Sequence, residues 1–174
     1  MRRIWVLGLL LLTDALHAQN HTLRVGAGMA METNYDNNSQ FGPLLSAEYQ
    51  WNFSRYVALQ SRLSFASVRI DPVRMNTMAS GAVGVLVTPL SKKFRYIKVG
   101  ANVQYVYHRY TYQPEDAFIY EKCGNIGFGF PIRAFFIDNV KYELSVGYDL
   151  QTEFQKGHFL YVTDYAALYF GVKF

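Results

Sequence analysis

The chain has 174 residues, one domain's worth, of which 51% are hydrophobic and 17% aromatic, with a formal net charge of +4. So small a charge, with no run of Lys or Arg along one face, excludes an electrostatic grip on nucleic acid. A single cysteine, Cys123, excludes an intramolecular disulfide, so an exported form must take its stability from elsewhere.

Residues 1–18 read as a cleaved signal peptide. Arg2 and Arg3 precede an apolar run over 4–12 that is too short to span a membrane, and Ala15, Ala18 and Gln19 mark the exit. The mature domain is then 19–174. Beyond the leader no apolar run approaches the ~18–20 residues that a spanning helix needs, so a membrane crossing has to be made by strands.

Period-two alternation then marks eight of them. In 22–33, Leu23, Val25, Ala27, Met29 and Met31 alternate with Arg24, Gly26, Gly28, Ala30 and Glu32, and the Asn-rich stretch 34–40 is a loop. The second strand, 42–51, puts Leu45, Ala47, Tyr49 and Trp51 opposite Ser46, Glu48 and Gln50; 52–55 turns tightly. In the third, Leu59, Leu63 and Phe65 oppose Gln60, Arg62 and Ser64, ending before Asp71-Pro72. The fourth, 77–88, holds its period through Val83, Val85 and Val87, with a short turn at 89–94. In the fifth, Val99, Val103, Tyr105 and Tyr107 oppose Lys98, Asn102, Gln104 and His108.

The stretch 109–123 reads as the longest loop, made aromatic by Tyr110, Tyr112, Phe118 and Tyr120. In the sixth strand Ile126, Phe128, Phe130 and Ile132 face away from Gly127, Gly129, Pro131 and Arg133, and Asp138-Asn139 turns the chain. The seventh sets Tyr142, Leu144, Val146, Tyr148 and Leu150 against Glu143, Ser145, Gly147, Asp149 and Gln151. After a loop over 152–161 the last strand alternates Ala166, Leu168, Phe170, Val172 and Phe174 with Tyr165, Ala167, Tyr169, Gly171 and Lys173. Connections after strands two, four and six are short and the others longer. Pro131 predicts a bulge or locally broken pairing, because it removes a ladder hydrogen bond.

A closing strand that ends on an aromatic residue, Tyr169-Phe170-Gly171-Val172-Lys173-Phe174, resembles those of small eight-stranded outer-membrane β-barrels, of the OmpX and OmpA membrane-domain kind. The resemblance covers the mature chain through its strands and turns. It implies an all-β, eight-stranded antiparallel up-and-down transmembrane barrel in the outer membrane of a Gram-negative bacterium. It also implies that Phe170, Val172 and Phe174 are read by the barrel-insertion machinery, and that outer-membrane lipid is the surrounding partner.

Alternation alone does not say which face is out, since a soluble calyx would alternate too. The apolar positions carry no charge, whereas the opposite positions mix small residues with few ions, as a narrow lumen requires. Aromatics collect near strand ends (Tyr49, Trp51, Tyr56, Tyr105, Tyr107, Tyr142, Tyr148, Phe170, Phe174) and read as two interfacial girdles. Inward fall Arg24, Arg62, Lys98, Arg133 and Lys173 with Glu32, Glu48, Glu143 and Asp149, and in so narrow a space these ions must pair. Hairpin register places Arg133 across from Glu143 and Glu48 diagonal to Arg62, forming a layered plug.

His108 is the histidine on a strand, but Tyr107-His108-Arg109-Tyr110 lacks the neighbouring serine of lipid A deacylases, and a rim histidine with a loop hydrogen bond is the expectation. The four His show no metal spacing, and no cofactor is implied. The functional expectation is a non-enzymatic barrel for envelope integrity or surface contact, with a lipid A-modifying enzyme or a narrow channel as alternatives. Tyr110, Tyr112, Phe118 and Tyr120 are the candidate contact surface for a surface or envelope protein.

Overall fold

The computed structural model describes residues 21–33, 39–54, 56–71, 74–89, 96–112, 119–155 and 158–174. The stretch 1–18, expected to be a leader, therefore lies outside the described residues. The strands are β1 (His21–Thr33), β2 (Ser39–Asn52), β3 (Val57–Asp71), β4 (Arg74–Val87), β5 (Ile97–Tyr112), β6 (Ile119–Asp138), β7 (Tyr142–Gln155) and β8 (His158–Lys173). They form one closed antiparallel barrel in chain order. The seam is sealed at the termini, where His21 and Phe174 exchange both backbone hydrogen bonds, at 3.1 and 3.0 Å. Closure leaves no strand edge, so backbone pairing runs all the way round the barrel.

The pairing is strongly staggered. A row starting at Arg24 runs through Glu48, Arg62, Ala82, Gln104, Gly127 and Glu153 and reaches β8 at Tyr161, ten residues from Gly171, the residue that Arg24 faces directly. Eight strands with such a stagger enclose an interior that side chains alone can fill.

The faces sort as the alternation predicts. Leu23, Val25, Leu63, Val83, Val103, Phe128 and Val146 point out, Leu63 at 69% exposure, whereas Arg24, Glu48, Gln50, Arg133 and Asp149 are sealed inside at 0%. A wall this apolar belongs in lipid. At the end that carries both termini, the ring of His21 stacks on those of Tyr49, Trp51 and Phe174, and Tyr142 stacks on Phe170. Tyr105 and Tyr107 stand exposed on the wall toward the far end. Asp164 departs from the pattern: it occupies an outward position, yet it is covered to 7% exposure, and its Oδ2 accepts the Tyr148 hydroxyl at 2.7 Å.

Strand ends are where the structure corrects the expectation. The stretch 109–123 is not one loop, because β5 continues to Tyr112, β6 begins at Ile119, and Arg109 and Tyr110 pair with Lys122 and Glu121. The stretch 152–161 is likewise mostly strand. Long and short connections therefore do not alternate strictly: two residues separate β3 from β4 and β7 from β8, whereas nine separate β4 from β5. The reason is that backbone pairing sets a strand's length, and above the apolar band both faces are polar, so pairing continues without a hydropathy signal.

Pro131 behaves as predicted. On its β5 side the ladder is interrupted between the Val99–Ile132 and Asn102–Gly129 pairs, without a change of register, while on the β7 side Pro131 still faces Asp149. A separate bulge lies between Phe135 and Ile137.

Candidate functional site

The barrel interior is where the charged residues converge. In the half nearer the termini, Glu48 on β2 is shared by two guanidinium groups: Arg24 Nη1 lies 2.5 Å from its Oε1, and Arg133 Nη2 donates to its Oε2 at 2.8 Å. Arg24 Nε also donates to Glu143 Oε1. Asp149 Oδ2 sits 2.5 Å from Arg62 Nη1 and 3.1 Å from Arg133 Nη1. Strands β1, β2, β3, β6 and β7 are thereby tied together across the lumen. Fully desolvated ions of both signs are tolerable only because each has a counter-ion.

Aromatic rings fill what the ions leave. Tyr169 lies under Arg133, 4.6 Å from ring centroid to guanidinium, and Tyr165 lies 5.8 Å from Arg62. Phe135, turned inward, is flanked by Arg24 at 5.6 Å and by the Lys98 ammonium at 4.9 Å. Space for Tyr169 comes from Gly26 and Gly147, where a Cβ would stand 2.6 Å from its ring atoms. Beside Lys98, Ser54 and Thr88 lies a cavity of about 10 Å³, no more than one water would need.

All nine inward ions expected from the sequence are brought to the interior or its mouth, but two pairings change. Arg133 faces Gly147, not Glu143, which faces Asp138. The shift arises because β6 runs on to Asp138, so that the turn is made by Asn139–Lys141, with Asn139 Oδ1 accepting the N–H of Lys141 and Tyr142 at 3.0 and 2.7 Å. Glu48 lies directly across from Arg62 rather than diagonal to it. With Glu48 already held by two arginines, the Arg62 guanidinium reaches across to Asp149. Lys173 stays at the mouth, donating to Asp138 and, at 2.8 Å, to the carbonyl of Asn139.

A second cluster, in the far half of the lumen, escaped the sequence reading. His108 is fully buried, not at the rim, and Asn76 Nδ2 lies 3.0 Å from its Nδ1 while Glu153 Oε2 lies 2.6 Å from its Nε2. Asn76 also donates to Glu32 at 2.9 Å, and Asn125 and Thr163 donate to Glu153 at 3.1 and 3.3 Å. The ring is stacked on Tyr110 with centroids 5.8 Å apart. Glu153 was missed because 152–161 read as loop; its signal was the inward series Glu143, Ser145, Gly147, Asp149, Gln151, continued one step. Both ring nitrogens of His108 are engaged by neighbouring side chains. Among the described residues no group of three or more His, Cys, Asp or Glu is arranged to hold a metal ion.

The outer residues are placed as follows. Phe170, Val172 and Phe174 all face outward on the closing strand. Tyr110 and Tyr112 belong to β5 and Tyr120 to β6, while Phe118 lies outside the described residues.

A closed eight-stranded antiparallel barrel with an apolar outer wall and an ion-paired interior is the architecture of small transmembrane barrels. No protein-family model matches the chain, and no curated protein matches it by sequence. Solved structures do match in fold. The attachment invasion locus protein Ail of Yersinia pestis superposes with a TM-score of 0.65 at 8% identity, over 89% of this chain and 99% of that one. A major outer membrane protein of Thermus thermophilus gives 0.61 at 13% identity, over 88% and 99%. Neisserial surface protein A gives 0.59 at 12% identity, over 88% and 97%. The chain thus has the fold of small outer-membrane barrels.

Proposed function

We propose that this protein is a non-enzymatic integral protein of the outer membrane of a Gram-negative bacterium, with a plugged lumen, serving envelope integrity or surface contact through its far end. The observation that carries this reading is the interlocked interior, in which Arg24, Arg62, Arg133, Glu48 and Asp149 cross the lumen at 0–3% exposure. Such a cross-section supports a lumen closed to solutes. On the same reading 1–18 are removed on export, Phe170, Val172 and Phe174 present the closing strand to the insertion machinery, and Tyr110, Tyr112, Phe118 and Tyr120 offer the contact surface. The attachment invasion protein of like fold is a precedent for the surface-contact role.

The test is fractionation of the producing bacterium, electrophoresis of the outer membrane with and without boiling, and planar-bilayer recording. The expected result is an outer-membrane band that shifts on heating and a barrel that inserts without steady conductance. A soluble periplasmic protein, or regular single-channel steps, would overturn the reading. Deleting 113–118, which removes Phe118, is expected to leave the heat shift intact while weakening surface contact.

A further inference from the structure

In the far half of the lumen one chain of hydrogen bonds runs from Glu32 through Asn76 and His108 to Glu153, and so crosses from β1 by way of β4 and β5 to β7. All four residues are buried to 0–1% exposure. The floor beneath them, one inward position nearer the termini, is Ala30, Met78, Val106 and Tyr165, so no cation from that side offsets the two carboxylates. At the level of the chain β2, β3 and β8 bring Gln40, Val68 and Thr163, none of which titrates. Cys123 on β6 lies opposite His108 in register, and Tyr110 stacks on the imidazole. At the mouth beyond, Arg74 and Glu121 are exposed, and each has a partner of its own.

The middle of the chain fixes where protons can sit. Asn76 presents a single atom, Nδ2, both to Glu32 Oε2 at 2.9 Å and to His108 Nδ1 at 3.0 Å. An amide nitrogen only donates, so the imidazole accepts at Nδ1 and carries its proton on Nε2, where it donates to Glu153, while Glu32 accepts as a carboxylate. Turning the amide over puts its oxygen in the same place, and an amide oxygen only accepts. Both neighbours must then donate, His108 from Nδ1 and Glu32 from Oε2. The mixed forms fail, because a proton on Nδ1 alone would face an N–H, and a turned amide beside ionised Glu32 would set two acceptors together. Nor does Glu32 Oε1 offer a way round, since it is buried without a hydrogen-bond partner among the described residues and a proton there would find no acceptor. We propose that Glu32, Asn76 and His108 form a two-proton site, in which Glu32 and His108 are protonated together and the Asn76 amide turns over between them. Two protons come from solvent to Glu32 Oε2 and His108 Nδ1, and no other covalent bond changes. The two carboxylates and neutral imidazole, together doubly negative, become a neutral set of carboxyl, imidazolium and carboxylate. Every hydrogen bond of the chain is kept, those of Asn76 with donor and acceptor exchanged, so the far half of the lumen stays tied in both states.

The test uses the full mature barrel, isotope-labelled and refolded in detergent, with its heat shift scored first at both ends of the pH range. NMR follows the His108 ring nitrogens, the Glu32 carboxyl carbon and the Asn76 side-chain amide from roughly pH 8 to pH 4, which spans the ordinary titration of a histidine and a carboxyl group. His108 and Glu32 are expected to titrate at one midpoint with a Hill slope of about two, the Asn76 amide signals moving with them. Charge alone predicts the reverse, because a proton on one of two neighbouring groups opposes a proton on the other and holds the slope below about one. In Glu32→Gln the introduced amide is a permanent donor to the Asn76 oxygen, and the His108 slope is expected to fall to about one. If that variant does not refold, the wild-type titration decides alone. Separate midpoints, a wild-type slope of about one or less, or a His108 ring that does not change over the range overturns the proposal. So does a Glu32→Gln variant that keeps the wild-type slope, and so does Glu153 titrating with His108 in place of Glu32.

Discussion

Glu48 is the residue on which the interior most depends, because one carboxylate neutralises two guanidinium groups that face each other across the lumen. Removing it leaves Arg24 with Glu143 alone and Arg133 with Asp149 alone, and Asp149 is already shared with Arg62. Breaking a buried pair from one side costs about 3–5 kcal/mol, since the surviving charge stays desolvated. Glu48→Gln is therefore expected to destabilise the barrel by that amount, read as a lower urea midpoint for the loss of the heat-resistant form in detergent. Lys173→Gln, which unpairs Asp138 only at the wetter mouth, is expected to cost under about 1 kcal/mol. If the two variants unfold at the same urea concentration, the network is not what holds the lumen together. The glycines beneath Tyr169 make the complementary point about shape. At Gly147 a Cβ would meet Tyr169 at 2.6 Å and Arg133 at 2.7 Å. Gly147→Ala is expected to destabilise by about 1–3 kcal/mol, and Tyr169→Leu in the same chain to recover part of that, which a double-mutant cycle in urea would measure.

At the scale of the element, each strand carries two unrelated messages, and they were not equally legible. Period two within the apolar band was plain, so that the outward set from Leu23 to Phe174 and the inward set from Arg24 to Lys173 could be read from the sequence alone. Strand ends were not, because Arg109, Tyr110, Glu121 and Lys122 pair as strands with water on one side and a polar mouth on the other, and no alternation survives there. Register was legible only to within a few residues, since it is set by turn chemistry at Asn139 and a bulge at Phe135, and neither has a hydropathy signature. The consequence is that the residues named for the lumen fall on its inner face or at its mouth while two of the pairings expected for them change, and the cluster around His108 and Glu153 was not assembled. The two faces make a prediction of their own. Val103 and Gln104 are neighbours in the middle of β5, one outward and exposed, the other inward and buried. Val103→Lys is expected to cost about 2–4 kcal/mol in refolding into bilayers, whereas Val103→Leu is expected to be near neutral.

For the molecule as a whole, closure and filling are separate achievements. Closure comes from the ladder, which runs through every neighbouring pair and back to β1, and it needs no particular lumen residue. Filling comes from the ion pairs and the rings packed on them, and on the proposed reading it closes the tube to solutes. The two can be separated by experiment. Replacing Arg24, Glu48 and Arg133 together by Ser removes two positive charges and the carboxylate they share, and takes away the layer that crosses the lumen. The wall should persist, because no outward residue changes, Asp149 keeps Arg62 and Glu143 keeps Lys173 at the mouth, and buried charges deleted with their partner leave less penalty than one deleted alone. The triple variant is expected to keep its heat-shifted band while showing steady, ohmic conductance in a planar bilayer, where the wild type is expected to be silent. Silence in both would mean that Tyr165, Tyr169 and Phe135 block the lumen without the ions. Loss of the heat shift would mean that the wall cannot close around an emptied interior, and that filling is a condition of the fold rather than an addition to it.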